Sequence, residues 1–123
     1  MLYVDYVTFS RLYDEVCDYS DEEMFIAERG WQDWMDPFSA EENVNILHTI
    51  FLIGRMNFED LRNTMNMSQT EMAKKYNISV RTIQNWDSER RNPPDYVIKL
   101  LAYTIFLYQI NREGNKDDSS EQD

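Results

Sequence analysis

Apolar residues recur at helical spacing along most of the chain, and short polar caps mark where each run begins. Tyr6, Phe9, Tyr13 and Val16 fall on one face, with Leu12 widening the stripe, which predicts an amphipathic helix from about Val4 to Cys17. Cys17, next to Val16, reads as small core filler. Ser20 and Glu23 have the spacing of a capping box, Tyr19 and Met24 that of its hydrophobic staple, and Gly30 is the expected stop. Trp31, Trp34 and Phe38 follow around Asp36-Pro37 and are expected to close an N-terminal core; the alternative is an exposed anchor for a partner. Ser39 and Glu42 form a second capping box, opening a helix from about Ala40 to Met56. Val44, Leu47, His48 and Phe51 would share one face, and Ile50, Leu52 and Ile53 make it unusually apolar.

The second half of the chain is more tightly punctuated. Asn57 is placed to cap a helix from Phe58 to Met65. Ser68 and Glu71 give a third capping box, with Met67 and Met72 as its staple. Asn77 follows the last residue of that short helix, and Asn tolerates the left-handed conformation that ends one. Ser79 then caps another helix, with Ile78 and Ile83 as staple. Two short helices separated by so tight a turn must cross steeply, which is helix-turn-helix geometry. After a loop containing Pro93-Pro94, Asp95 is read as the cap of a final helix from Tyr96 to about Ile110. No stretch alternates with the period of a strand and no segment repeats, so an all-α fold is expected.

The stretch MSQTEMAKKYNISVRTIQNWD, Met67 to Asp87, resembles the Cro/cI-type or XRE-like helix-turn-helix family. Met72 and Ala73 on the first helix, Ile78 in the turn, and Ile83 and Trp86 on the second match the family's core positions. The resemblance extends upstream through Phe58-Glu59-Asp60-Leu61-Arg62 and downstream through Arg90 to Val97, covering about Phe58 to Ile110. Glu89 departs from it, standing where many relatives carry glycine. The resemblance implies a repressor-like helix-turn-helix bundle, to which the charge and periodicity of the first half add an acidic helical N-terminal extension. The expected divisions are 1–56 for the extension, 57–112 for the DNA-binding domain and 113–123 for a disordered acidic tail.

Charge changes the picture. The 123 residues carry a net charge of −11, which taken whole argues against a nucleic-acid binder. Residues 1–61, however, hold 3 basic and 14 acidic side chains, while residues 62–112 hold 8 basic and 4 acidic. The tail adds 1 basic and 5 acidic residues. An acidic half joined to a mildly basic half reads as two jobs. With 42% hydrophobic and 14% aromatic residues the chain is expected to be globular. A single cysteine fits a reducing cytoplasm, and neither a signal peptide nor a membrane span is expected.

By the resemblance, the start of the second helix enters the major groove and presents Ser79, Val80, Arg81, Gln84 and Asn85 to base edges. The chemistry suits that role. Arg81 can donate two hydrogen bonds to guanine, Gln84 or Asn85 can pair with adenine, and Val80 can meet a thymine methyl. Gln69 occupies the family's phosphate-gripping position at a helix N-terminus. Lys74, Lys75, Arg90 and Arg91 are further phosphate candidates, the alternative for the two lysines being ordinary solvated charge. Nothing in the sequence argues for catalysis, a metal or a cofactor: His48 stands alone and no Cys/His spacing suits zinc.

The expected function is sequence-specific binding of double-stranded DNA, as a transcriptional regulator of a bacterium, phage or mobile element. The alternative is an inhibitor whose acidic N-terminal region occupies a basic, nucleic-acid-binding surface of another protein. Small phage-borne inhibitors, anti-CRISPR proteins among them, sometimes join such a region to a helix-turn-helix. The final helix, 96–110, is apolar on more than one face, so its surplus is covered either by the N-terminal extension or by a second copy in a homodimer.

Overall fold

The computed structural model describes the backbone of residues 1–122 and the side chains of residues 1–112. Among the described residues every regular element is helical: α1 (Tyr6–Glu15), α2 (Glu22–Arg29), α3 (Ala40–Gly54), α4 (Phe58–Thr64), α5 (Gln69–Tyr76), α6 (Val80–Asp87) and α7 (Asp95–Gln122). Two 3₁₀ turns, Val16–Asp18 and Asp33–Met35, lie between the first three. The chain divides into two compact units, one made of Met1–Arg55 with the stretch from Phe106 onward, the other of Met56–Ile105. The expected disordered tail, 113–123, lies outside the fully described residues.

In the first unit, α1 starts where Asp5 accepts a hydrogen bond from the Thr8 amide. It buries Phe9 and Leu12, and Val16 is buried just beyond it. The helix ends at Glu15, short of the expected Cys17, and the tighter 3₁₀ turn carries Cys17 out to solvent, so it is not core filler. Asp21, not Ser20, caps α2, its carboxylate accepting from the Glu23 amide at 2.9 Å. Met24 is exposed and forms no staple. Gly30 ends α2 at φ 57°, a conformation that glycine adopts without steric cost.

The aromatic loop closes the core differently from expectation. Met35 is the buried residue there, Trp34 and Phe38 are half-buried, and Trp31 is 67% exposed. Asn43 holds this loop against α3, its amide donating to the carbonyls of Met35 and Phe38. The Ser39–Glu42 capping box forms in full. α3 buries Asn43, Ile46, Leu47, Ile50, Phe51 and Ile53, while Val44 and His48 turn outward. The expected face is thus split, Leu47 and Phe51 lying inside and Val44 and His48 outside, because a helix with so many apolar positions does not define a unique stripe. At Gly54 a Cβ would lie 2.8–2.9 Å from the side-chain carbons of Val16, so this approach requires glycine.

The second half of α7 completes this unit. Phe106 meets Phe9 with ring centroids 5.0 Å apart, and Ile110 is fully buried. Asn111 donates to the Leu2 carbonyl at 3.0 Å and accepts from the Leu2 amide at 2.8 Å, which ties down the N-terminal strand of chain. Of the two coverings considered for the final helix, packing within the first unit accounts for Phe106 and Ile110. Tyr96, Leu100 and Tyr108 stay exposed. Asp95 is the first helical residue and not the cap; the Pro94 carbonyl accepts from the amides of Val97 and Ile98.

The second unit has its own core of Phe58, Met72, Ala73, Ile83 and Leu101, against which Met65, Met67, Ile78, Val80, Trp86 and Val97 pack. Trp86 meets Phe58 edge-on, with centroids 5.2 Å apart.

Candidate nucleic-acid interface

Local chemistry sets both helices of the motif. Ser68 Oγ accepts from the Glu71 amide at 3.1 Å, and Glu71 Oε1 accepts from the Ser68 amide at 3.0 Å. Hydrogen bonds from the Ser68 backbone first, and then its side chain, hold the Glu71 carboxyl below the usual range. α5 ends at Asn77, which takes the left-handed conformation (φ 55°, ψ 47°) expected of it, and the Ile78 amide donates to the Ala73 carbonyl at 3.0 Å. Ala73, in the middle of α5, is buried in the same core as Ile83 of α6, and a larger side chain there would force the two helices apart. Ser79 caps α6, accepting from the Thr82 amide, and Ile83 is fully buried beneath it.

One buried ion pair braces the motif. Asp87, its side chain 5% exposed, accepts from Arg62 Nε at 3.0 Å and Nη2 at 2.7 Å, and the Arg62 side chain is 12% exposed. Arg62 Nη1 also donates to the Met67 carbonyl at 2.8 Å, and Gln69 Nε2 donates to Asp87 Oδ2 at 2.8 Å. Arg62 on α4, Gln69 on α5 and Asp87 on α6 are thereby joined around one carboxylate. Sequence reasoning missed this, since no local spacing reveals a pair 25 residues apart.

The expected base-reading residues separate into grades of exposure. Ser79, Arg81 and Gln84 are exposed, and Asn85 is half-buried. Arg81, Gln84 and Asn85 lie three and four residues apart on a helix, so their side chains share one face. Ser79 is exposed, but its hydroxyl is engaged with Thr82, whose amide and Oγ1 lie 3.1 and 2.8 Å away. Val80 is half-buried and leans on the core, leaving only part of its side chain outward.

Among the phosphate candidates, Gln69 opens α5 with its amide already donating to Asp87, so the amide's second N–H is the one left for a phosphate. Lys74 and Lys75 are exposed in the last turn of that helix, where its carbonyl end also favours cations. Arg90 and Arg91 are exposed in the loop leaving α6. That loop folds back on the helix, with the Arg91 amide donating to the Asn85 carbonyl at 3.3 Å and the Glu89 amide to Trp86 at 3.2 Å. Glu89 has φ 61°, the left-handed geometry that the family's glycine supplies at this turn.

Two capped short helices crossing at a left-handed turn, with a polar outward face on the second, define a DNA-binding helix-turn-helix. The family model described as helix-turn-helix matches residues 58–102, and that segment is a Cro/cI-type, XRE-like helix-turn-helix domain. No curated protein and no solved structure matches the chain. Among the described residues, no group of His, Cys, Asp or Glu could hold a metal ion, and no helix is long and apolar enough to cross a membrane.

Proposed function

We propose that the protein binds double-stranded DNA sequence-specifically and regulates transcription, as a repressor or autoregulator of a bacterium, phage or mobile element. The observation that carries this reading is the outward polar set Arg81, Gln84 and Asn85 on one face of α6, held over the buried Ile83. Arginine and amide side chains are the groups that pair bidentately with guanine and adenine in the major groove, each good pair discriminating by about 1–3 kcal/mol. Gln69, Arg90 and Arg91, with Lys74 and Lys75, would fix the register by holding phosphates.

The test is selection from a random pool of duplex DNA, run beside the Arg81→Ala, Asn85→Ala variant. An enriched sequence that the variant fails to enrich is the expected result. A palindrome with half-sites about one helical turn apart would add a homodimer to the reading. Enrichment by neither protein, or equally by both, overturns it.

A further inference from the structure

The first unit carries an outward apolar stripe that the DNA-binding reading does not use. Val44 is 52% exposed and Leu52 47% exposed, with the half-buried His48 between them. They stand at four-residue intervals on α3, a stripe of about 12 Å along one helix face. At its N-terminal end Val44 and His48, with Glu22, Ala40, Glu41 and Asn45, line an open trough of about 500 Å³ whose wall is mostly apolar. His48 Nδ1 lies 2.7 Å from Glu22 Oε1, which fixes the Glu22 carboxylate at the rim.

The charge around this trough is one-sided. Residues 1–55 contain 12 acidic and 3 basic side chains. The basic ones are occupied within the unit. Arg29 is nearly buried and ion-paired to Glu15, Arg11 lies 3.6 Å from the same carboxylate, and Arg55 donates to the carbonyls of Tyr19 and Ser20. Glu41 is exposed and Glu22 half-exposed beside the apolar stripe, and apart from His48, which pairs with Glu22, no basic residue lines the trough.

From these features we propose that the outward face of α3 docks a basic amphipathic helix of another protein. Such a helix lays an apolar stripe into a groove and offers anchors at the same three- and four-residue spacing. Lysines or arginines flanking that stripe would meet Glu22 and Glu41, and the complementary potentials would select the partner. A second copy of this chain fits less well, since a two-fold contact would set the same acidic rim against itself. An open trough does not enclose a small molecule on most of its surface, as ligand pockets do.

The full chain is titrated with a fluorescent synthetic peptide of leucine and lysine, all leucines on one helical face. Two control peptides accompany it: a scramble of the same composition without an apolar face, and the same pattern with glutamate for lysine. Micromolar binding of the patterned peptide is expected, with both controls weaker by about tenfold or more. Val44→Arg and Glu41→Lys should each weaken it by about tenfold, while DNA binding stays unchanged and melting falls only slightly, since Glu41→Lys puts a cation in the first turn of α3. Equal binding of the scramble would reduce the effect to bulk charge and overturn the proposal. So would absence of binding, or indifference to both substitutions. Self-association of the free chain that Val44→Arg abolishes would assign the face to a second copy instead, also overturning it.

Discussion

Glu89 holds a left-handed backbone conformation in which its own Cβ crowds the following carbonyl. Glycine carries no such crowding, so Glu89→Gly is expected to stabilise the second unit by about 1 kcal/mol, less the extra freedom glycine gives the unfolded chain. Chemical denaturation monitored by Trp86 fluorescence, with Trp31 and Trp34 replaced by phenylalanine, would measure it. Asn77 holds a similar geometry, but its side chain is of the kind that tolerates it, so Asn77→Gly should gain much less. Glu71 offers a second reading at this scale. Its carboxyl is held below its usual value by the Ser68 hydrogen bonds, so the cap contributes stability above the unfolded pKa. That contribution is lost as pH falls through the lowered, folded value. A carboxyl NMR titration should find Glu71 below an ordinary glutamate, and Ser68→Ala should bring it part of the way back, because the backbone donor remains.

Helices whose ends are set by neighbours three or four residues away were legible in the sequence. Ser39 with Glu42, Ser68 with Glu71, Ser79 and the left-handed Asn77 all do what their spacing implies. Illegible features depended on longer range or on degenerate patterns. Ser20 and Asp21 are both competent caps, and only the observed hydrogen bond distinguishes them. The apolar excess of α3 hid which face it buries, and early termination of α1 turned Cys17 outward. The Arg62–Asp87 pair joins α4 to α6 across 25 residues and leaves no periodic trace. Removing one partner strands a charge in a nearly buried position, so Asp87→Ala is expected to destabilise the second unit by about 3–5 kcal/mol. Asp87→Ala should also free Gln69 from its anchor. Thermal unfolding of that variant beside Gln69→Ala, which leaves the ion pair intact, would separate the two contributions.

For the molecule as a whole, the net charge of −11 conceals an uneven distribution. Lys74, Lys75, Arg90 and Arg91 are exposed on the helix-turn-helix unit, and each phosphate that a cation neutralises releases bound counterions. If all four engage, the logarithm of DNA affinity should fall against the logarithm of salt with a slope of about −3.6 per chain. Arg90→Ala and Arg91→Ala should each flatten that slope by about 1 in a salt-titrated binding assay, with the preferred sequence unchanged. The same division of the molecule bears on its biosynthesis. The helix-turn-helix unit is one uninterrupted stretch, Met56–Ile105, whereas the first unit needs Phe106 to meet Phe9 and Asn111 to meet Leu2. In a nascent chain the sequence of the later unit is therefore complete before that of the earlier one, which cannot close until residues 106–111 are free of the ribosome, against the usual order from the N-terminus. Chains ending at residue 105 and tethered to the ribosome by a flexible linker long enough to clear the exit tunnel, when challenged with protease, should protect the Met56–Ile105 stretch while still being cut within residues 1–55.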